Sequence, residues 1–126
     1  MSIRSKVIAV VDDDTSIRDA VVHLLLAHGY GTEAYSSAEE YLGATSTGKA
    51  MCLVTDIELG GISGIGLVRE LSTTGFNLPV IFVTGCESET TRGEALVVGC
   101  VAYLLKPFPP HLLLEAIVKA IGASGT

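Results

Sequence analysis

Four short apolar runs, Val7–Val11, Met51–Thr55, Val80–Val83 and Val101–Leu105, punctuate the chain, with helical periodicity between them. Runs this short, rich in β-branched and apolar residues, are the pattern of strands buried on both faces. Between the first pair, Asp14 is a good N-cap, and Ile17, Ala20, Val21, Leu24 and Leu25 recur at helical spacing up to Gly29. Gly31–Tyr35 can form a further strand, and Ser36 with Glu39 three residues on reads as a capping box opening a helix to about Leu42. A polar loop, 45–49, precedes the next apolar run. Leu67, Val68 and Leu71 mark a third helix, and the stretch from Glu87 through Glu94 opens a fourth that ends at Gly99. Pro109 and Pro110 suit the first turn of a last helix, whose apolar face carries Leu113, Leu114, Ile117, Ala120 and Ile121. Leu112 falls off that face and is expected to be exposed. Buried strands alternating with helices dictate a parallel sheet covered on both sides, because each parallel connection needs a crossover. The expected fold is α/β: a doubly wound five-stranded parallel sheet in the order 2-1-3-4-5 with five helices, a flavodoxin-like three-layer sandwich.

At 126 residues the chain has enough surface to bury for one core, not two. A single domain over 1–126 is expected, with its core at about 6–121 and a small polar tail or linker start at 122–126. An apolar content of 48% and a mean hydropathy of +0.51 exclude a disordered chain. Charged residues and histidines interrupt every apolar run short of a membrane span, and the amino-terminal run is too short for a signal peptide. A soluble, cytoplasmic protein with no membrane partner follows. The net charge of -6 argues against direct nucleic-acid contact, which needs a basic face. Cys52, Cys86 and Cys100 form no CxxC, and His23, His28 and His111 have no metal-ligand spacing, so the cysteines read as reduced, packed thiols.

In a doubly wound sheet the ligand site lies beyond the carboxyl ends of the strands, at the topological switch point. The residues there are Asp12 and Asp13 after the first strand, Asp56 after the third, Thr84 after the fourth and Lys106 after the fifth. Three carboxylates crowded into one pocket raise each other's pKa and destabilise the fold unless a cation joins them. A hard divalent ion such as Mg2+ satisfies such a cluster while keeping water or phosphate oxygens in its remaining positions. A lone aspartate after a strand would be an ordinary turn or cap, the reading that holds for Asp14. The full set of carboxylates, hydroxyl and lysine at one edge points to a site instead.

The motifs Val10-Val11-Asp12-Asp13-Asp14, Val54-Thr55-Asp56, Ser63-Gly64, Val83-Thr84-Gly85 and Lys106-Pro107-Phe108 occur in the order and approximate spacing of a known family. The chain resembles a response-regulator receiver domain of the CheY-like superfamily, nearest the FixJ type, over about Lys6 to Ile121. The resemblance implies that Asp56 accepts a phosphoryl group from a phosphohistidine on a sensor histidine kinase. Asp13, Asp56 and the backbone carbonyl of Glu58 would bind Mg2+ (or Mn2+) directly, with Asp12 acting through a bound water. Lys106 would pair with one phosphoryl oxygen, and Thr84 would donate to another. Tyr103 matches the family's switch aromatic, and the Lys106-Pro107 bond is expected to be cis. The output face would be the fourth helix, fifth strand and fifth helix, which contacts an output domain or effector protein or forms a homodimer on phosphorylation. Such a protein is a switch rather than a turnover enzyme, acting in two-component transcription regulation.

The chain departs from that pattern in carrying Gly60 and Gly61 where the family usually has a proline four residues after the phosphorylated aspartate, so a more mobile loop is expected. Glu58 and Cys86, two residues after Asp56 and Thr84, flank the route of water to the phosphoryl group and are candidates for tuning its lifetime. Gly93 and the Val97-Val98 pair weaken the fourth helix, which is expected to be labile. The alternatives are a phosphorelay or stand-alone receiver acting only through protein contacts, and a flavodoxin-like electron carrier, whose flavin phosphate Asp12, Asp13 and Asp14 would repel. An aspartate-nucleophile phosphatase of the haloacid-dehalogenase type would need its acidic residues spaced as DxD after the first strand. Five acids at the functional edge, Asp12, Asp13, Asp14, Asp56 and Glu58, with Lys106, account for -4 of the chain's -6.

Overall fold

The computed structural model describes residues 6–44, 48–85 and 88–124. Its elements alternate as β1 (Val7–Val11), α1 (Thr15–Ala27), β2 (Gly31–Tyr35), α2 (Ala38–Ala44), β3 (Cys52–Asp56), α3 (Gly64–Thr73), β4 (Val80–Thr84), α4 (Glu89–Val98), β5 (Ala102–Leu105) and α5 (Pro110–Ser124). The sheet is five-stranded in the order β2-β1-β3-β4-β5, parallel throughout. This is the topology the alternating pattern demands.

Strand alternation sorts the core into two layers. Ile8, Val10, Cys52, Val54, Ile81 and Val83 face Leu25 of α1 and Leu113, Ile117 and Ala120 of α5. Ala9, Val11, Leu53 and Phe82 face the other way, onto Tyr41 of α2, Leu67 and Leu71 of α3 and Ala95 of α4. β3 and β4 are buried along their whole length, whereas the edge strands β2 and β5 are only partly buried. Each fully buried Leu or Ile contributes roughly 1.5–3 kcal/mol, which fixes the central strands most firmly.

Local signals set the helix ends. Asp14 Oδ1 accepts from the Ile17 N–H at 3.1 Å and starts α1. Ser63 Oγ accepts from Gly66 N–H at 3.0 Å and starts α3. Ser88 caps α4. The α2 cap lies one residue later than Ser36 and Glu39 imply. Ser37 Oγ accepts from the Glu40 N–H at 3.0 Å, and the Glu40 carboxylate reaches back to the Ser36 N–H and hydroxyl. Ala38 and Tyr41 are the buried residues of α2. Glu39 is exposed and is used elsewhere. α5 also runs through Ser124, so residues 122–124 are helical rather than the start of a tail. Leu112 is 38% exposed, as its spacing requires, and Leu96 and Val97 of α4 are 65% and 85% exposed. Among the described residues no helix is long and apolar enough to cross a membrane.

Candidate functional site

Strand register brings the singled-out residues to one level. Val11 lies opposite Thr55, Asp56 opposite Val83 and Thr84 opposite Leu105, so Asp12 and Lys106 each leave their strand beside the end of β3 or β4. Carboxylate oxygens of Asp12, Asp13 and Asp56 lie within 4.8 Å of one another. Lys106 Nζ donates to Asp12 Oδ2 at 2.9 Å and to Asp56 Oδ2 at 2.8 Å. Asp12 and Asp56 are buried and Asp13 is exposed.

Backbone donors complete the pocket. Asp12 Oδ1 accepts from the Asp14 N–H at 2.9 Å, and the Arg18 guanidinium donates to the Asp12 carbonyl at 2.8 Å, tying α1 to the end of β1. The loop after β3 is held through alternate amides. Glu58 N–H donates to Asp56 Oδ1 at 3.0 Å, Gly60 N–H to Asp13 Oδ2 at 3.3 Å and Ile62 N–H to Glu39 Oε2 at 3.2 Å. Gly60 thus supplies an N–H that a proline at this position would lack. Gly64 is required by close approach, since a Cβ there would collide with the carbonyl oxygen of Asp56. That contact presses the start of α3 against the end of β3.

The charge balance follows from burial. Desolvation pushes the Asp56 carboxyl above its ordinary value; the hydrogen bonds from Lys106 and Glu58 N–H oppose this without cancelling it, and the Asp12 charge adds to the rise. Burial would lower the Lys106 ammonium, but its bonds to Asp56 and Asp12 hold it above its usual range. One lysine therefore serves a pocket with an excess of carboxylates. The donor set is oxygen throughout, the chemistry that a hard divalent cation takes and a soft one does not. Asp12, Asp13 and Asp56 form the acidic pocket that could hold it.

Thr84 is buried, and its hydroxyl donates to Glu58 Oε1 at 3.3 Å. Phe82 pairs with Tyr103 across β4 and β5, so strand alternation puts Thr84, Phe82 and Tyr103 on one face of the sheet. The Tyr103 ring is partly buried with its hydroxyl oxygen inside, and the Arg92 guanidinium sits 5.0 Å from its centroid. The Lys106-Pro107 bond is cis. Cys86 lies outside the described residues. Sequence reasoning missed Arg18, whose side chain reaches back six residues to a strand-end carbonyl, and Glu39, whose contact with Ile62 spans 23 residues. Beside Lys106, a groove of about 870 Å³ opens between α1 and the start of α5, lined by Ile17, Val21, Leu24 and Phe108 among others.

The response regulator receiver domain family matches residues 8–118. Over 114 residues the chain is 36% identical to Nodulation protein W of Bradyrhizobium diazoefficiens, covering 90% of this chain and 50% of that protein. It is 33% identical over 115 residues to the transcriptional regulatory protein FixJ of Azorhizobium caulinodans, covering 91% and 54%. The crystal structure of a CheY-like response regulator receiver domain protein from Methanospirillum hungatei superposes with a TM-score of 0.87 at 31% identity, covering 94% of each chain. The chain spans about half the length of the curated relatives it matches. Fold, pocket and sequence relatives agree, and the chain belongs to the response regulator receiver domain family.

Proposed function

We propose that this domain is a phosphorylation switch in which Asp56 receives a phosphoryl group from a phosphohistidine on a partner histidine kinase. The observation that carries this reading is the paired contact of Lys106 Nζ with Asp56 and Asp12, inside a cluster of carboxylates at the ends of β1 and β3. In the transfer, an Asp56 carboxylate oxygen bonds to phosphorus as the bond from phosphorus to the imidazole nitrogen breaks, leaving an acyl phosphate and a neutral imidazole once a proton is taken up. Positioning and charge neutralisation supply most of the catalysis such a transfer needs.

Mg2+, held by Asp13, Asp56 and the Glu58 carbonyl, would neutralise the phosphoryl oxygens and orient them. Asp13 is exposed, with one carboxylate oxygen, Oδ2, on the Gly60 N–H, which suits it to direct ligation, with Asp12 acting through a bound water. Lys106 pairs with a phosphoryl oxygen as a mobile point charge. Thr84 gives its hydroxyl to another, drawing the loop after β4 inward and biasing Tyr103 on the same face of the sheet. Glu58 and Cys86 tune the lifetime of the acyl phosphate. The groove supports docking of the phosphodonor protein on α1, because Lys106, which contacts Asp56, lines it. The α4–β5–α5 face, with Leu96 and Val97 exposed, is the proposed output surface for an effector domain or a second copy.

The test is incubation with Mg2+ and a small acyl or amido phosphate, followed by intact mass. Wild type gains one phosphoryl mass and Asp56→Asn gains none. Absence of the added mass on wild type overturns the reading.

A further inference from the structure

The loop from Glu58 to Ile62 hangs on carboxylates at every second amide: Asp56 takes the Glu58 N–H, Asp13 the Gly60 N–H and Glu39 the Ile62 N–H. The first two acceptors belong to the acidic cluster and would be drawn on by a cation or changed by a phosphoryl group; Glu39 lies outside it. Its hold on the Ile62 N–H therefore draws on no oxygen of the cluster. Gly61 fits the same purpose. Its φ of +97° is one that side chains rarely adopt, and a Cβ there would come within 2.5 Å of Glu39 Oε2, so the carboxylate lies directly against the loop backbone. The one-residue shift of the α2 cap, which gives Glu40 to Ser36, leaves Glu39 available for this contact.

We infer that Glu39 is a positioning residue: by holding the Ile62 N–H it fixes the loop that carries the Glu58 carbonyl, and so strengthens Mg2+ binding without being a ligand. The inference rests on the proposed Mg2+ site. A flexible loop of two glycines must lose conformational freedom before its carbonyl can serve a cation, and Glu39 removes part of that freedom in advance. A charge-assisted bond from one exposed carboxylate supports an effect of about three- to fivefold in affinity.

Two measurements on Glu39→Ala and Glu39→Gln test it. In metal-free protein, amide exchange at Ile62 is expected to quicken about threefold or more in Glu39→Ala and to stay near wild type in Glu39→Gln, whose amide oxygen still accepts. In a titration with Mg2+ alone, followed by calorimetry, the Kd is expected to rise about three- to fivefold in Glu39→Ala and less than twofold in Glu39→Gln. An unchanged Kd in Glu39→Ala, or a Glu39→Gln as weak as Glu39→Ala, overturns the inference alone. Failure of wild type to bind Mg2+ overturns both the inference and the functional reading beneath it.

Discussion

The Thr84 hydroxyl donates to Glu58 Oε1 across 3.3 Å, at the mouth of the pocket that holds Asp56. A hydroxyl has one proton to give, so Glu58 and an incoming phosphoryl oxygen compete for it. The Glu58 charge also repels an anionic donor. Glu58→Ala, which keeps the backbone carbonyl, is expected to speed phosphorylation by a small acyl phosphate about two- to fivefold. A rate equal to or below wild type, read by intact mass against time, counts against this competition.

Lys106 is the cation that the described structure gives to Asp12 and Asp56. Removing one partner of a buried pair leaves uncompensated charge, at a cost of about 3 kcal/mol. Lys106→Met should therefore lower the melting temperature sharply in EDTA, and added Mg2+ should raise it by more than in wild type. Equal Mg2+-induced shifts in the two proteins would show that lysine and metal do not share the same carboxylates.

Asp56 is pushed above the ordinary carboxylate value chiefly by burial. The folded chain thus holds the Asp56 proton more tightly than the unfolded chain, and the stability from this group is lost as pH rises through the folded pKa. At neutral pH the ionised form is a net burden that Asp56→Asn removes, while its amide oxygen still accepts from Glu58 N–H. Metal-free Asp56→Asn is expected to melt above wild type at neutral pH, with the gap closing as pH falls into the acid range. A variant that melts at or below wild type at neutral pH refutes this sign.

Gly64→Ala tests the packing of α3 on β3. The added methyl must displace the Asp56 backbone, and overpacking of this kind costs about 1–3 kcal/mol. Lower thermal stability and slower phosphorylation are expected together. Loss of stability with an unchanged phosphorylation rate would mean that the displaced backbone does not reach the pocket.

The Cys52 thiol is fully buried, and burial pushes it up to about 12. The thiolate is the reacting form, and the fold favours the neutral thiol until pH rises through that value. Cys52 should resist iodoacetamide in the native protein at about pH 8.5 and react once urea unfolds it. Labelling of Cys52 in native buffer, read by peptide mass, would contradict the buried position.

The sheet was legible because its signal is local: β-branched runs ending in polar residues at Asp12, Asp56 and Thr84 leave little choice of strand or of edge. The α2 cap was not. Ser36-Ser37-Ala38-Glu39-Glu40 contains two overlapping capping boxes, and nothing local in the sequence chooses between them. The cap formed takes Glu40 and leaves Glu39 free of it, and Glu39 contacts the loop after β3 across 23 residues. Arg18 was missed for a related reason, since a helix arginine reaching back to a strand-end carbonyl leaves no mark in periodicity. The small polar composition at 122–124 hid a helix that continues because Ala120 and Ile121 are still buried.

β3 has a mechanical consequence. Like β4, it is buried at every position and hydrogen-bonded on both sides, which makes it a stiff mounting. A charge added to Asp56 cannot be relieved by yielding of the strand beneath it. The displacement must go into the softer parts around it: the glycine loop, the Thr84 hydroxyl and, behind them, a thinly anchored α4 with only Ala95 fully buried among its described residues. The chain works as a rigid anvil with compliant surroundings, and that contrast in stiffness gives a local chemical change its direction of travel.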